Sequence, residues 1–100
     1  MNITKKTENN VLTIALEGRL DTVTAPELEN EIRSSAEGVS RLILDFTELA
    51  YISSAGLRVL LSTQKRMNAS GGSLLIRHPN EVVSEVFEAT GFSDILEIEA

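Results

Sequence analysis

The chain has 100 residues, of which 42% are hydrophobic and 24% charged, and carries a net charge of −6. These figures fit one small globular domain, residues 1–100, and exclude a disordered tail, a collagen-like chain or a coiled coil. The acidic balance gives no general attraction to DNA, RNA or anionic lipid, and aromatics at 4% offer few rings for base stacking. The longest apolar run, Leu49-Ala50-Tyr51-Ile52, is far shorter than the about 20 residues of a membrane span. Met1-Asn2-Ile3-Thr4-Lys5 lacks the apolar core of a signal peptide. With zero cysteines there is no disulfide, thiolate metal site or cysteine nucleophile. That fits a reducing compartment, and a cytoplasmic location is expected.

Two strands open the chain. Ile3 to Glu8 is a weak one; in Val11 to Glu17, Leu12, Ile14 and Leu16 alternate with a more polar set. Asn9-Asn10 between them suits the positive φ of a hairpin turn. Gly18-Arg19-Leu20-Asp21 then leaves the sheet. Thr24-Ala25-Pro26-Glu27 predicts a helix start, with Thr24 as cap, Glu27 completing a capping box and Pro26 in the first turn. Leu28, Ile32 and Ala36 form its buried stripe, and Gly38 is a plausible stop. Arg41 to Phe46 is a strand. Its continuous Leu42-Ile43-Leu44 predicts cover on both faces. A loop carrying Leu49, Tyr51 and Ile52 follows.

A second helix starts at Ser53 or Ser54 and runs to about Asn68, with Leu57, Leu60, Leu61 and Met67 inward. Ser70-Gly71-Gly72 ends it. Ser73 to Arg77 is a short apolar strand. Asn80 caps a third helix bearing Val82, Val83, Val86 and Phe87. Gly91 terminates that helix with Phe92 behind it. Asp94 to Glu99 is the last strand. The order β-β-α-β-α-β-α-β predicts an α/β fold: a mixed sheet with an antiparallel N-terminal hairpin and helices packed on it.

Little in the chain carries catalytic chemistry. His78 is the one histidine, and no Gly-x-Ser-x-Gly elbow accompanies the serines. No metal-ligand spacing and no phosphate-binding glycine motif occurs; Gly71-Gly72 is a helix stop and turn. One segment stands out, Asp45 through Leu57, where two serines and a glycine open a helix after a buried strand. A helix N-terminus has unpaired N–H groups and partial positive charge, so it tolerates phosphate attached to its own serine. Ser53 is the N-cap. Ser54, one residue inside, directs its hydroxyl outward. Gly56 removes side-chain bulk and lets a partner backbone approach. Arg58 lies four residues after Ser54 on the same helix face and can pair with a phosphate there. Exposed, such a pair contributes only ~0–1 kcal/mol.

Asp45-Phe46-Thr47 followed by Tyr51-Ile52-Ser53-Ser54-Ala55-Gly56-Leu57 resembles the signature of the STAS domain family, the anti-sigma-factor antagonists. Gly18-Arg19-Leu20-Asp21 is similar to the family's second marker, and the likeness covers the whole chain in element order and length. The resemblance implies a non-enzymatic phospho-switch. In that family the unphosphorylated antagonist binds an anti-sigma factor that is also a serine kinase, freeing the sigma factor. The kinase phosphorylates the serine before the small residue and glycine, and a metal-dependent phosphatase reverses this. By position that serine is Ser54. The family commonly has aspartate just before it, where this chain has Ser53, and often a second serine after it, where this chain has Ala55.

The implied partner surface comprises Asp21, Tyr51, Ser53, Ser54, Ala55, Gly56, Leu57 and Arg58. ATP and metal belong to the kinase, so no cofactor is expected on this chain, nor contact with nucleic acid or membrane. Two other roles compete. STAS domains also serve as subunits of lipid-transport ATPases and as scaffolds in stress complexes. Alternatively, Ser54 with His78 makes a small serine hydrolase.

Overall fold

Asn9 and Asn10 adopt φ of 52° and 65°, the left-handed pair of a tight hairpin. In the computed structural model, which describes all 100 residues, they join β1 (Asn2–Glu8) to β2 (Val11–Leu20). The pair is antiparallel, with Ile3 opposite Leu16 and Glu8 opposite Val11. Then come α1 (Ala25–Ser35), β3 (Arg41–Ile52), α2 (Ser54–Ala69), β4 (Ser73–Arg77) and α3 (Glu81–Thr90). A 3-10 turn at Phe92–Asp94 precedes β5 (Glu97–Glu99). The last strand is therefore shorter than expected, because Asp94 closes the turn that follows Gly91. The five strands lie in the order β1-β2-β3-β4-β5, parallel after the first pair. Leu42, Ile43 and Leu44 thus sit in the central strand.

That order decides where the helices go. Each crossover moves one strand in the same direction, and right-handed crossovers then place every helix on one face. The core confirms it. One cluster of 22 buried residues joins Leu12, Ile14, Leu42, Leu44, Leu74 and Ile76 to Leu28 and Ile32 of α1, Leu57 and Leu60 of α2 and Phe87 of α3. Ile43 and Leu75, on the alternate positions, lie outside that cluster. The cover expected on both faces is present, although the helices supply it on one face alone. Ile43 and Leu75 pair across β3 and β4 on the open face and are still only 7% and 5% exposed. Flanking them on that face are the stems of Arg41 and Arg77, whose heads pair with Glu97 at 3.6 Å and Glu99 at 2.8 Å. On α3, Val82 at 50% exposed faces solvent, while Val83 and Phe87 go inward. Leu61 is half-buried, and Val59 and Thr63 take the remaining inward places on α2.

Residues 47–52, expected to be loop, are strand. Ala15 and Glu17 pair with Asp45 and Glu48, so β3 uses three residues where β2 uses two. The same happens again where Gly18 and Arg19 pair with Leu49 and Tyr51. These are two β-bulges, each adding one residue to β3. The inward residues become Leu42, Leu44, Phe46, Leu49 and Ile52, so alternation fails after Phe46. The first bulge is fastened by Asp45, whose Oδ1 accepts the Thr47 backbone N–H at 3.0 Å and its hydroxyl at 2.6 Å. Burial pushes the Asp45 carboxyl pKa up, but the Thr47 bonds, with His78 and Arg77 nearby, leave it below the usual 3.8. A depressed carboxylate stabilises the fold above its unfolded pKa, and the contribution is lost as pH falls through the folded value. Melting of the parent should therefore decline more steeply than that of Asp45→Ala as pH drops below 3.8. Parallel pH profiles of the two chains would remove Asp45 from this role.

Asn80 ties α3 to the overhanging end of β3. Its Oδ1 caps α3 by accepting the Val83 N–H at 2.8 Å. Its amide donates to the carbonyls of Leu49 and Ala50 at 3.1 and 3.4 Å, beyond the reach of β4, which pairs only to Asp45. Asn80→Ala should cost about 1–2 kcal/mol, the upper part of the range for a lost cap. A urea titration checks this; a change within ~0.3 kcal/mol would show that neither the cap nor the carbonyl bonds stabilise the fold.

Candidate functional site

The site is assembled where β2 and β3 end together. Leu20 pairs with Ile52, and the Leu20 carbonyl accepts the Ser53 N–H at 2.9 Å. Asp21 and Ser54 each follow that bonded pair by one residue. Both helix N-termini that leave this edge are thereby brought together. Gly18-Arg19-Leu20 remains in β2 rather than leaving the sheet, which is a correction to the sequence expectation.

No side chain caps α1; Asp21 instead holds the turn that leads into it. Thr24 occupies the N-cap position but makes no side-chain cap bond. Its hydroxyl instead donates to the Arg19 carbonyl at 2.8 Å and accepts the Asp21 N–H at 2.9 Å. Asp21 Oδ1 accepts the N–H groups of Val23 and Thr24 at 3.0 and 3.1 Å. The expected Thr24–Glu27 box does not form, because the Thr24 N–H is already taken. The Thr24 backbone N–H is the chief cause that lowers the Asp21 pKa, opposed by burial and assisted by Val23, the Thr24 hydroxyl and Arg19. The half-buried Asp21 is therefore a fixed anion at this edge. Arg19 lies 4.5 Å from the Tyr51 ring centroid and 3.9 Å from Asp21 Oδ2, which stacks the guanidinium on the half-buried ring.

At α2 the sequence expectation holds for the two serines. Ser53 is the N-cap and its Oγ accepts the Gly56 N–H, at a long 3.5 Å. Ser54 is the first helical residue and is exposed. Ala55 is half-buried, and Arg58 is exposed one turn on.

Gly56 does not open the helix to a partner, and Leu57, inward as expected from its place on α2, is too buried for the implied partner surface. A Cβ on Gly56 would lie 2.8 Å from both Ile52 Cγ1 and Leu20 Cγ. Its missing side chain lets α2 seat on the strand ends; it opens nothing to a partner. Leu57 is 7% exposed and belongs to the core. Gly56 lies two residues past Ser54, about 200° around the helix, on the side packed against Leu20 and Ile52. The accessible residues of this edge are thus Asp21, Tyr51, Ser53, Ser54, Ala55 and Arg58, joined by Arg19, which the sequence reading quoted within the second marker only, and by Val23, which it did not single out. Val23 is 84% exposed, and a lone valine in a polar turn gives no pattern that would mark it.

His78 lies elsewhere in the hydrogen-bond network. It sits past β4 at φ 55°, its N–H bonds the Glu99 carbonyl at 2.7 Å, and its Nδ1 is 3.0 Å from the Ala100 carbonyl oxygen. The ring is engaged there and makes no hydrogen bond to Ser54. No helix is long and apolar enough to cross a membrane.

The STAS domain family model matches residues 2–100. BtrV of Bordetella bronchiseptica, provisionally named an anti-sigma factor antagonist, is 35% identical over 99 residues, covering 98% of this chain and 85% of BtrV. The anti-sigma-B factor antagonist of Bacillus subtilis is 30% identical over 100 residues, covering 100% of this chain and 92% of the relative. The chain belongs to the STAS domain family. Among solved structures, the anti-sigma factor antagonist SpoIIAA shares the fold. Its unphosphorylated form gives a TM-score of 0.85 at 20% identity, covering 99% of this chain and 89% of SpoIIAA. Its phosphorylated form gives a TM-score of 0.77 at 19% identity, covering 99% and 92%.

Proposed function

We propose that this chain is an anti-sigma-factor antagonist that works as a non-enzymatic phospho-switch, with Ser54 as the switch. Unphosphorylated, it binds an anti-sigma factor with serine kinase activity and so frees a sigma factor. The kinase passes the γ-phosphoryl group of ATP to Ser54 Oγ; ADP leaves, and the hydroxyl proton goes to a base on the kinase. A metal-dependent phosphatase hydrolyses the ester and restores the serine.

The observation that carries this reading is the division of labour at α2. Ser53 holds the cap, which leaves the Ser54 hydroxyl exposed at the positive end of a helix. Two relatives bear antagonist names, and SpoIIAA has been solved on this fold in unphosphorylated and phosphorylated forms.

The test has two parts. A pull-down with the full chain should recover a histidine-kinase-like ATPase; recovery of a transporter ATPase instead would favour the transport role. Incubation of the purified pair with ATP, followed by mass-spectrometric mapping, should place phosphate on Ser54. Phosphate on Ser53 or elsewhere defeats the assignment.

A further inference from the structure

A groove of about 520 Å³ runs between α1 and α2 and opens beside Ser54, since Ala55 forms part of its wall. Its floor is apolar: Ala25 and Val59 are 4% and 5% exposed. Pro26 and Ala55 add apolar walls, and Val23, one residue past groove-lining Thr22, adds an exposed apolar side chain at that end. Two charges face each other across it, Glu29 and Arg58. Glu29 is already neutralised by Arg33 at 3.0 Å. Arg58 takes part in none of the chain's ion pairs.

The remaining cations sharpen this. Every lysine and arginine outside α2 has a carboxylate partner; the ones without are Arg58, Lys65 and Arg66, all on α2 and all exposed. Ser54, Arg58, Ser62 and Lys65 recur at helical spacing and form one exposed stripe. An acidic chain of net charge −6 therefore keeps its unpaired positive charge along one helix, next to an apolar groove. That combination complements an acidic amphipathic helix.

We propose that the groove receives an acidic amphipathic helix of the anti-sigma partner. One apolar side chain packs over Ala25 and Val59, and a carboxylate meets Arg58. Phosphate on Ser54, one helical turn away, then releases the partner by capturing Arg58 and repelling the carboxylate. This rests on the Ser54 reading and adds the mechanism by which the modification reaches the partner.

The experiment titrates the full chain and its variants with the partner recovered above. Arg58→Gln should bind about tenfold more weakly, and Ser62→Phe, which fills the groove from an exposed position, at least as weakly. Ser62→Ala should match the parent. Arg58→Glu, also at an exposed position, replaces Ser62→Phe should the latter not fold. In the free chain with phosphoserine incorporated at position 54, ³¹P NMR should show the second phosphate pKa, ordinarily about 6, lower in the parent than with Arg58→Gln. Parental affinity in Arg58→Gln and Ser62→Phe overturns the groove, and leaves the switch standing where Ser54→Asp fails to bind. Identical phosphate titrations overturn the capture of Arg58. Parental binding by Ser54→Asp defeats the switch itself.

Discussion

Ser54→Asp is expected to bind the anti-sigma partner more than a hundredfold more weakly than the parent, while staying folded. The two halves of this expectation have separate causes. Within the free chain, a negative charge at the first position of α2 meets the positive end of the helix, worth ~0.3–1 kcal/mol in its favour. The residue is exposed, so nothing inside the fold must move. In the complex, the charge has to be desolvated or has to face an acidic group. A loss of even ~3 kcal/mol lowers affinity more than a hundredfold. Ser54→Ala should bind yet resist phosphorylation. Ser53→Ala should lose only a long cap bond, about 0.5–1 kcal/mol, and still be phosphorylated at Ser54. Calorimetric titration and thermal melting of the same samples decide it. Tight binding by Ser54→Asp would falsify the switch; a collapsed melting transition would reassign Ser54 to stability.

Gly56→Val is the second large effect, and it acts on the fold. The new Cβ would stand 2.8 Å from Leu20 Cγ and Ile52 Cγ1. Neither atom is the free end of a side chain, and Leu20 and Ile52 are both fully buried. Overpacking of this kind costs typically ~1–3 kcal/mol. A branched side chain in the first turn, with no room to turn away, belongs at the upper end. A loss of about 3 kcal/mol in a domain of this size lowers the melting temperature by roughly 12–24 °C. Gly56→Ala should lose less, because alanine regains about 1 kcal/mol of helix propensity. Should Gly56→Val melt with the parent but lose partner binding, Gly56 would be a surface residue after all.

The two substitutions separate neighbouring residues of one motif into different jobs. Ser54 faces the solvent and Gly56 faces Leu20, although only one residue lies between them. Asp45 and Thr47, also part of the motif, fasten a bulge in β3. That bulge and the next one set the direction in which β3 delivers Ser53 to the end of β2. Much of what the motif contains is therefore geometry that presents one hydroxyl.

The amino-acid sequence alone determined the five strands, the three α-helices and their order, because local rules govern them. Alternation marked β2, the i+4 stripe of Leu28 and Ile32 marked α1, Asn9-Asn10 marked the hairpin, and Asn80 and Gly91 marked both ends of α3. Ser53 as cap and Ser54 as the exposed first residue followed from the same local rules. Only the tertiary structure decided the rest. The bulges in β3 depend on pairing with β2, a partner some thirty residues away, and they broke the alternation that would have revealed a strand. The one-sided placement of the helices came from the strand order, which no local pattern contains. Thr24 stands at the N-cap of α1 without a side-chain cap bond because the Arg19 carbonyl at the end of β2 claims its hydroxyl. Gly56 turned inward for the same reason: the spacing of a motif says which residues are small, and the packing of α2 on Leu20 and Ile52 says which side they face.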